Sequence, residues 1–194
     1  MSSFNYQEHV ALLGGSFDPP HIGHFLGAKN LIGRFGFKKL IVVPNGNHPF
    51  KNSQQTSENH RLAMARLNFA NLERTEVSDV EVQGSPEPHT AFSTLSHFKQ
   101  KVGIQKIAFI LGEELLKELP RWSHFPQLLD LADWIVLQRK EHSANPSAVL
   151  NERVLNSPLN EWVSESQDEG ASAECLLRNG RQMSIVPADS PATS

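Results

Sequence analysis

The sequence predicts an α/β fold whose parallel sheet is covered on both faces by helices. Three observations carry this. The runs HVALL, KLIVV, KIAFIL and DWIVL are continuously apolar, as strands buried on both faces are. Stretches of helical apolar spacing lie between them. The first strand, first helix and second strand together have the length of one right-handed crossover unit.

The elements follow in order. Residues 9–13 form the first strand, which is expected to stop at Gly14-Gly15. A helix over 22–35 places Ile22, Phe25, Leu26, Ala28, Leu31 and Ile32 at roughly helical spacing, with Gly36 as its stop. Residues 39–43 are the second strand, closed by Pro44, and NGNHPFKNSQQ (45–55) is a polar loop. Next come a helix over about 57–70, a strand-like 75–82 with imperfect alternation of Val77, Val80 and Val82, and a helix over 90–101. A strand over 106–111, a helix containing 126–131 and a strand over 133–137 complete the alternation. Beyond Lys140, helical fragments mix with acidic and Ser-rich loop, and only residues 183–186 read as a further strand. One domain over 1–194 is expected, its part from about 141 the least defined.

Composition narrows the function. With 194 residues, 39% hydrophobic and 20% charged, and a mean hydropathy of -0.37, the chain is of ordinary globular type. No apolar run approaches the ~20 residues that span a bilayer, and MSSFNYQEHV lacks a basic segment followed by an apolar one. No membrane association is expected. The lone Cys175 allows no internal disulfide, which fits a cytoplasmic location. A net charge of -3 argues against a nucleic-acid partner, so an anionic small ligand must be met by local groups.

Those groups are concentrated in LLGGSFDPPHIGHF (12–25). In an open parallel sheet, ligands bind beyond the carboxyl ends of the strands, and the first strand-to-helix turn is a favoured place. Gly14 and Gly15 let the backbone bend and bring its N–H groups close to a phosphate. The following helix points free N–H groups and its positive dipole end at the same space. His21 and His24, three residues apart, share a helix face and can donate to phosphate oxygens or become cationic. The plainer alternative is a tight turn with two solvated histidines. Neither G-x-x-x-x-G-K-S/T nor G-x-G-x-x-G is present in this segment, which lowers the case for a P-loop hydrolase or an NAD-dependent dehydrogenase. His9, His60, His97, His124 and His142 show no useful metal-ligand spacing, and no protein-held metal site is expected.

Gly15-Ser16-Phe17-Asp18-Pro19-Pro20-His21-Ile22-Gly23-His24 resembles the G-S/T-F-D-P-x-H-x-G-H motif of the nucleotidylyltransferase superfamily at every fixed position. Pro44-Asn45 with Pro49 and Lys51 resembles the P-N-x-x-P-P-H-K/R loop of bacterial nicotinate-nucleotide adenylyltransferases, although His48 and Phe50 depart from it. Gly112, Glu114, Leu119 and Trp122 are similar to that family's G-x-D-x-L-x-x-L-x-x-W, with Glu114 in place of Asp. Residues 133–139 are similar to its A-x-x-I-V-x-x-R strand, and His89-Thr90 sits near its Y-T pair within one residue. The resemblance covers about residues 8–140. It implies a Rossmann-like, doubly wound sheet of the nucleotidyltransferase fold. The family's late I-S-S-T-x-I-R motif has no counterpart beyond Ser194, so a terminal helix and its phosphate-binding arginine are expected to be missing.

The activity implied by the resemblance is attack of the nicotinate mononucleotide phosphate on the α-phosphorus of ATP, giving deamido-NAD and pyrophosphate. In that reading His21, His24 and Lys51 are the catalytic set. Gly14, Gly15, Ser16, Phe17, Asp18, Gly23, Gly112, Glu114 and Arg139 meet ATP, while Asn45, Thr90 and Trp122 meet the acceptor nucleotide. Mg²⁺ accompanies ATP, and a homo-oligomer is possible. Three assignments have structural alternatives: Asp18 as a cap, Trp122 as a half-buried core residue, and Lys51 as a solvated loop lysine. The remaining functional alternatives are a pantetheine-phosphate adenylyltransferase or another small-molecule nucleotidylyltransferase, and a nucleotide-binding module without turnover.

Overall fold

In the computed structural model, residues 4–46, 56–82, 89–138, 146–168 and 172–187 are described. One sheet of eight strands organises them: β1 (Val10–Gly15), β2 (Lys39–Pro44), β3 (Thr75–Val77), β4 (Ile107–Gly112), β5 (Asp133–Gln138), β6 (Val163–Asp168), β7 (Ala173–Leu177) and β8 (Gln182–Pro187). Their spatial order is β3-β2-β1-β4-β5-β8-β7-β6. Pairings from β3 to β8 are parallel, while β7 runs antiparallel to both β8 and β6.

Side-chain alternation splits the core between two faces. Ala11, Leu40, Val42, Ile110 and Ile135 pack beneath α1 (Ile22–Phe35) and α2 (Glu58–Phe69). Leu12, Ile41, Phe109, Trp134 and Val136 pack on the other face with α3 (Ala91–Gln100) and the helical segment that opens with α4 (Pro146–Val149). Each fully buried Val, Leu or Ile among them stabilises the fold by roughly 1.5–3 kcal/mol. The predicted α/β, doubly wound class is therefore the observed one.

Several boundaries differ from the sequence reading. β1 does not stop before its glycines, because Gly14 and Gly15 still pair with Val43 and Pro44. The strand over 75–82 is reduced to Thr75–Val77, and the chain then turns so that the Val82 N–H donates to the Asp79 carbonyl. The helix expected at 126–131 is a short 3-10 turn over Gln127–Asp130. The largest omission is the β6-β7 pair. The β6 sequence VSESQD is polar, as an exposed edge strand can be, and it carries no apolar run to betray it. Cys175 is buried in β7, where burial and the nearby Glu174 push its thiol up to about 12. No helix among the described residues is long and apolar enough to cross a membrane.

Candidate active site

The chain leaves β1 toward β2 on one side, while β4 flanks β1 on the other. This reversal is the topological switch point of the sheet, and in open α/β sheets ligands bind beyond the carboxyl ends of the strands that flank it, here β1 and β4. The ends of β1 and β4 and the start of α1 bring Gly14–Asp18, His21, Gly23, His24, Gly112 and Glu114 to the same, carboxyl, end of the central strands, with Asn45 following β2.

The turn after β1 is made differently from the sequence expectation. Neither Gly14 nor Gly15 adopts a positive φ. The sharp residue is Phe17, with φ 49. Its ring folds back over Gly15, where an added Cβ would sit 3.1 Å from the ring. Gly15 is therefore required for packing against Phe17 rather than for bending, while a Cβ on Gly14 would only touch Phe109 at 3.9 Å. The buried Phe17 ring also meets His24 edge-on at 5.1 Å and Phe69 at 5.8 Å, so it supports the second histidine from below.

His21 and His24 cap α1. The Nδ1 of His21 accepts the Gly23 N–H at 3.1 Å, and the Nδ1 of His24 accepts the His21 N–H at 3.1 Å. This is a reciprocal capping box in which imidazoles stand in for the usual hydroxyl and carboxylate. Because both Nδ1 atoms act as acceptors, each ring carries its hydrogen on Nε2 in this arrangement. The two Nε2 atoms are thereby the ring nitrogens not used by the caps. An added Cβ at Gly23 would lie 3.0 Å from the His21 ring, so this glycine lets its N–H reach the imidazole.

Asp18 does not cap α1. Its Oδ2 accepts the Thr56 N–H at 3.4 Å, at the approach to α2. Thr90 is the N-cap of α3, its Oγ1 accepting from the Ser93 N–H at 3.2 Å. Trp122 is half-buried at the rim of the core, edge-on to Phe109 at 6.5 Å, and Phe109 in turn underlies Gly14. The exposed Glu114 folds its carboxylate over the bare Cα of Gly112. Asn45 is fixed by its N–H, which donates to the Gly15 carbonyl at 2.9 Å. Lys51 and Arg139 lie outside the described residues.

Two residues at this edge escaped the sequence reading. Arg61 is 1% exposed and donates to three carbonyls, of Ser16 (2.8 Å), Thr56 (3.3 Å) and Gly46 (3.4 Å). Burial pulls its pKa down, and Asp18, Glu58 and Glu81 push it back up. The carboxyl group of Glu81 is raised by burial, an effect opposed by a 2.6 Å hydrogen bond from Thr94 and by His89, the Gly46 N–H and Arg61. A signal for Arg61 does exist in the sequence, since it shares the buried stripe Arg61, Leu62, Ala65 and Phe69 of α2.

Residues 12–176 match the cytidylyltransferase-like family. A relative from Gemmatimonas aurantiaca, named "Probable nicotinate-nucleotide adenylyltransferase", is 28% identical over 186 residues, which cover 95% of this chain and 88% of the relative. One from Nitratiruptor sp. with the same name is 34% identical over 131 residues, covering 68% and 73%. Among solved structures, Plasmodium falciparum nicotinic acid mononucleotide adenylyltransferase complexed with NaAD superposes with a TM-score of 0.60 at 19% identity, over 75% of this chain and 71% of that one. Sequence match and shared architecture agree with the two-histidine turn at the end of β1, and the chain belongs to the cytidylyltransferase-like family of nucleotidyltransferases.

Proposed function

We propose that the protein joins ATP to nicotinate mononucleotide, releasing pyrophosphate and forming deamido-NAD. The observation that carries this reading is the His21–His24 pair, whose caps hold two Nε2–H donors at the carboxyl end of β1. The names of its relatives support the choice of acceptor.

The acceptor's phosphate has a second pKa near 6, so it is mostly dianionic at pH 7 and needs no general base. One of its oxygens forms a bond to the α-phosphorus of ATP. The bond from that phosphorus to the β-phosphate oxygen breaks, and the electron pair leaves with pyrophosphate. Catalysis is then positioning plus stabilisation of charge on the transferring group and the leaving group. His21 and His24 donate to these oxygens, together with N–H groups of the Gly15–Phe17 turn and the first turn of α1. Gly14, Gly112 and Glu114 border the nucleotide, and Lys51 and Arg139 add cations.

Mg²⁺ would accompany ATP and offset charge on its phosphates. Such an ion keeps most of its shell as phosphate oxygens and water. Asp18 is the carboxylate of the turn and the residue that would hold it. On the acceptor side, Trp122 stacks on the pyridine ring, and Asn45 and Thr90 contact the nucleotide.

Pyrophosphate release with ATP and Mg²⁺ tests the assignment, comparing nicotinate mononucleotide, its amide and pantetheine phosphate. Release should require the first. Release with pantetheine phosphate alone would move the protein to another branch of the family. ATP binding without release would make it a nucleotide-binding module.

A further inference from the structure

The Asn45–Gly46 segment after β2 is held from several sides. The Asn45 N–H is bonded to Gly15, the Gly46 N–H to the Glu81 carboxylate, and the Gly46 carbonyl to Arg61. An added Cβ at Gly46 would collide with the Glu81 carbonyl, so no other residue fits without displacing that backbone. Glu81 is itself tied to α3 through Thr94.

The same guanidinium grips the phosphate turn through the Ser16 carbonyl. In a trans peptide the carbonyl and the next N–H point in opposite directions. Anchoring the Ser16 carbonyl on Arg61 therefore turns the Phe17 N–H to the opposite side of the turn. A planar fork with several donors can bond carbonyls from different loops at once, which a lysine ammonium does far less well. Asp18, Glu58 and Glu81 offset the buried positive charge.

We propose that Arg61, braced by Glu81, is a positioning residue that fixes the separation between the phosphate turn at Ser16 and the acceptor-side segment at Asn45–Gly46, and so sets the distance between the two reacting phosphates. This rests on the adenylyl-transfer reading above. A residue that holds two substrates relative to one another acts on kcat more than on the binding of either, and a misplacement of about 1 Å costs on the order of 10²-fold.

The test is steady-state kinetics of Arg61→Lys and Glu81→Gln, with folding followed by circular dichroism and thermal melting. Arg61→Lys should lower kcat about 10²-fold while the KM values for ATP and nicotinate mononucleotide each change by less than about fivefold. Asp133→Asn, a substitution at the opposite end of the sheet, controls for loss of stability alone and should leave kcat unchanged. Unchanged kcat in Arg61→Lys, or an effect confined to KM, overturns the inference. Should Arg61→Lys fail to fold, Glu81→Gln decides: the same split at about tenfold supports the brace, and wild-type kcat overturns it. A wild type inactive with every acceptor rejects the reading of the site instead. If the wild type uses pantetheine phosphate, the same ratios are read on that acceptor.

Discussion

His21 and His24 stack with ring centroids 3.9 Å apart and planes tilted by 38°, each giving its Nδ1 to a backbone N–H at the start of α1. The structural role and the proposed chemical role thus fall on different nitrogens. Nδ1 satisfies a helix terminus that would otherwise present unpaired donors, and Nε2 carries the hydrogen that the proposed mechanism uses.

The two roles separate by substitution. His24→Ala should lower turnover by at least about 10²-fold, the loss typical of a removed transition-state donor. His21→Asn keeps an efficient N-cap and should retain thermal stability while turnover falls. His21→Ala should in addition lose about 1 kcal/mol of stability in chemical denaturation. Full turnover in His24→Ala would reject the mechanism.

The tautomer is directly observable. Nitrogen-15 spectra of the ligand-free protein at neutral pH should show both rings as the Nε2–H form. A dominant Nδ1–H signal for either histidine would contradict the capping geometry.

Gly46→Ala should destabilise the protein by about 2 kcal/mol or more, since the new methyl group meets the Glu81 carbonyl rather than a side chain able to swing away. Gly112→Ala is the contrast: its clash is with the mobile carboxylate of Glu114, so stability should change little. Urea titration of both variants checks the pair.

Asp133, at the start of β5, accepts from His9 at 2.7 Å and from the Gln182 N–H at 2.9 Å. Burial pushes its carboxyl up, but the His9 hydrogen bond, the Gln182 N–H and the positive charges of His9 and Arg181 outweigh it, leaving the pKa below the ordinary value of 3.8. A depressed folded-state pKa contributes stability that is present above the unfolded value and is lost as pH falls through the folded one. Melting temperature should therefore drop below about pH 4. Asp133→Asn should be less stable by about 1–3 kcal/mol at pH 7 and show a shallower acid-side decline.

Trp122→Ala should raise the KM for nicotinate mononucleotide about tenfold and leave that for ATP nearly unchanged, with Trp122→Phe intermediate. Equal effects on both substrates would assign Trp122 to the core instead.

Much of this was legible in the chain itself. Continuous apolar runs revealed β1, β2, β4 and β5, because strands buried on both faces are mostly apolar. Helical spacing with Gly36 as a stop placed α1 from Ile22 to about Phe35, and the structure shows Gly36 in the left-handed region at its end. The His-x-x-His spacing brought His21 and His24 together at the start of α1, because local sequence sets which side chains share the first turn of a helix. Tertiary structure decided what depends on partners distant in sequence. The edge strand β6 exists because β7 is there to pair with it, not because VSESQD has any apolar pattern. Gly15 is a glycine because the Phe17 ring returns over it, and the histidine tautomers follow from backbone donors that only the folded turn presents. Arg61 lies 45 residues from the carbonyl of Ser16 that it anchors. A buried charge on α2 marks it as unusual, but only the assembled sheet supplies the carbonyls it bonds.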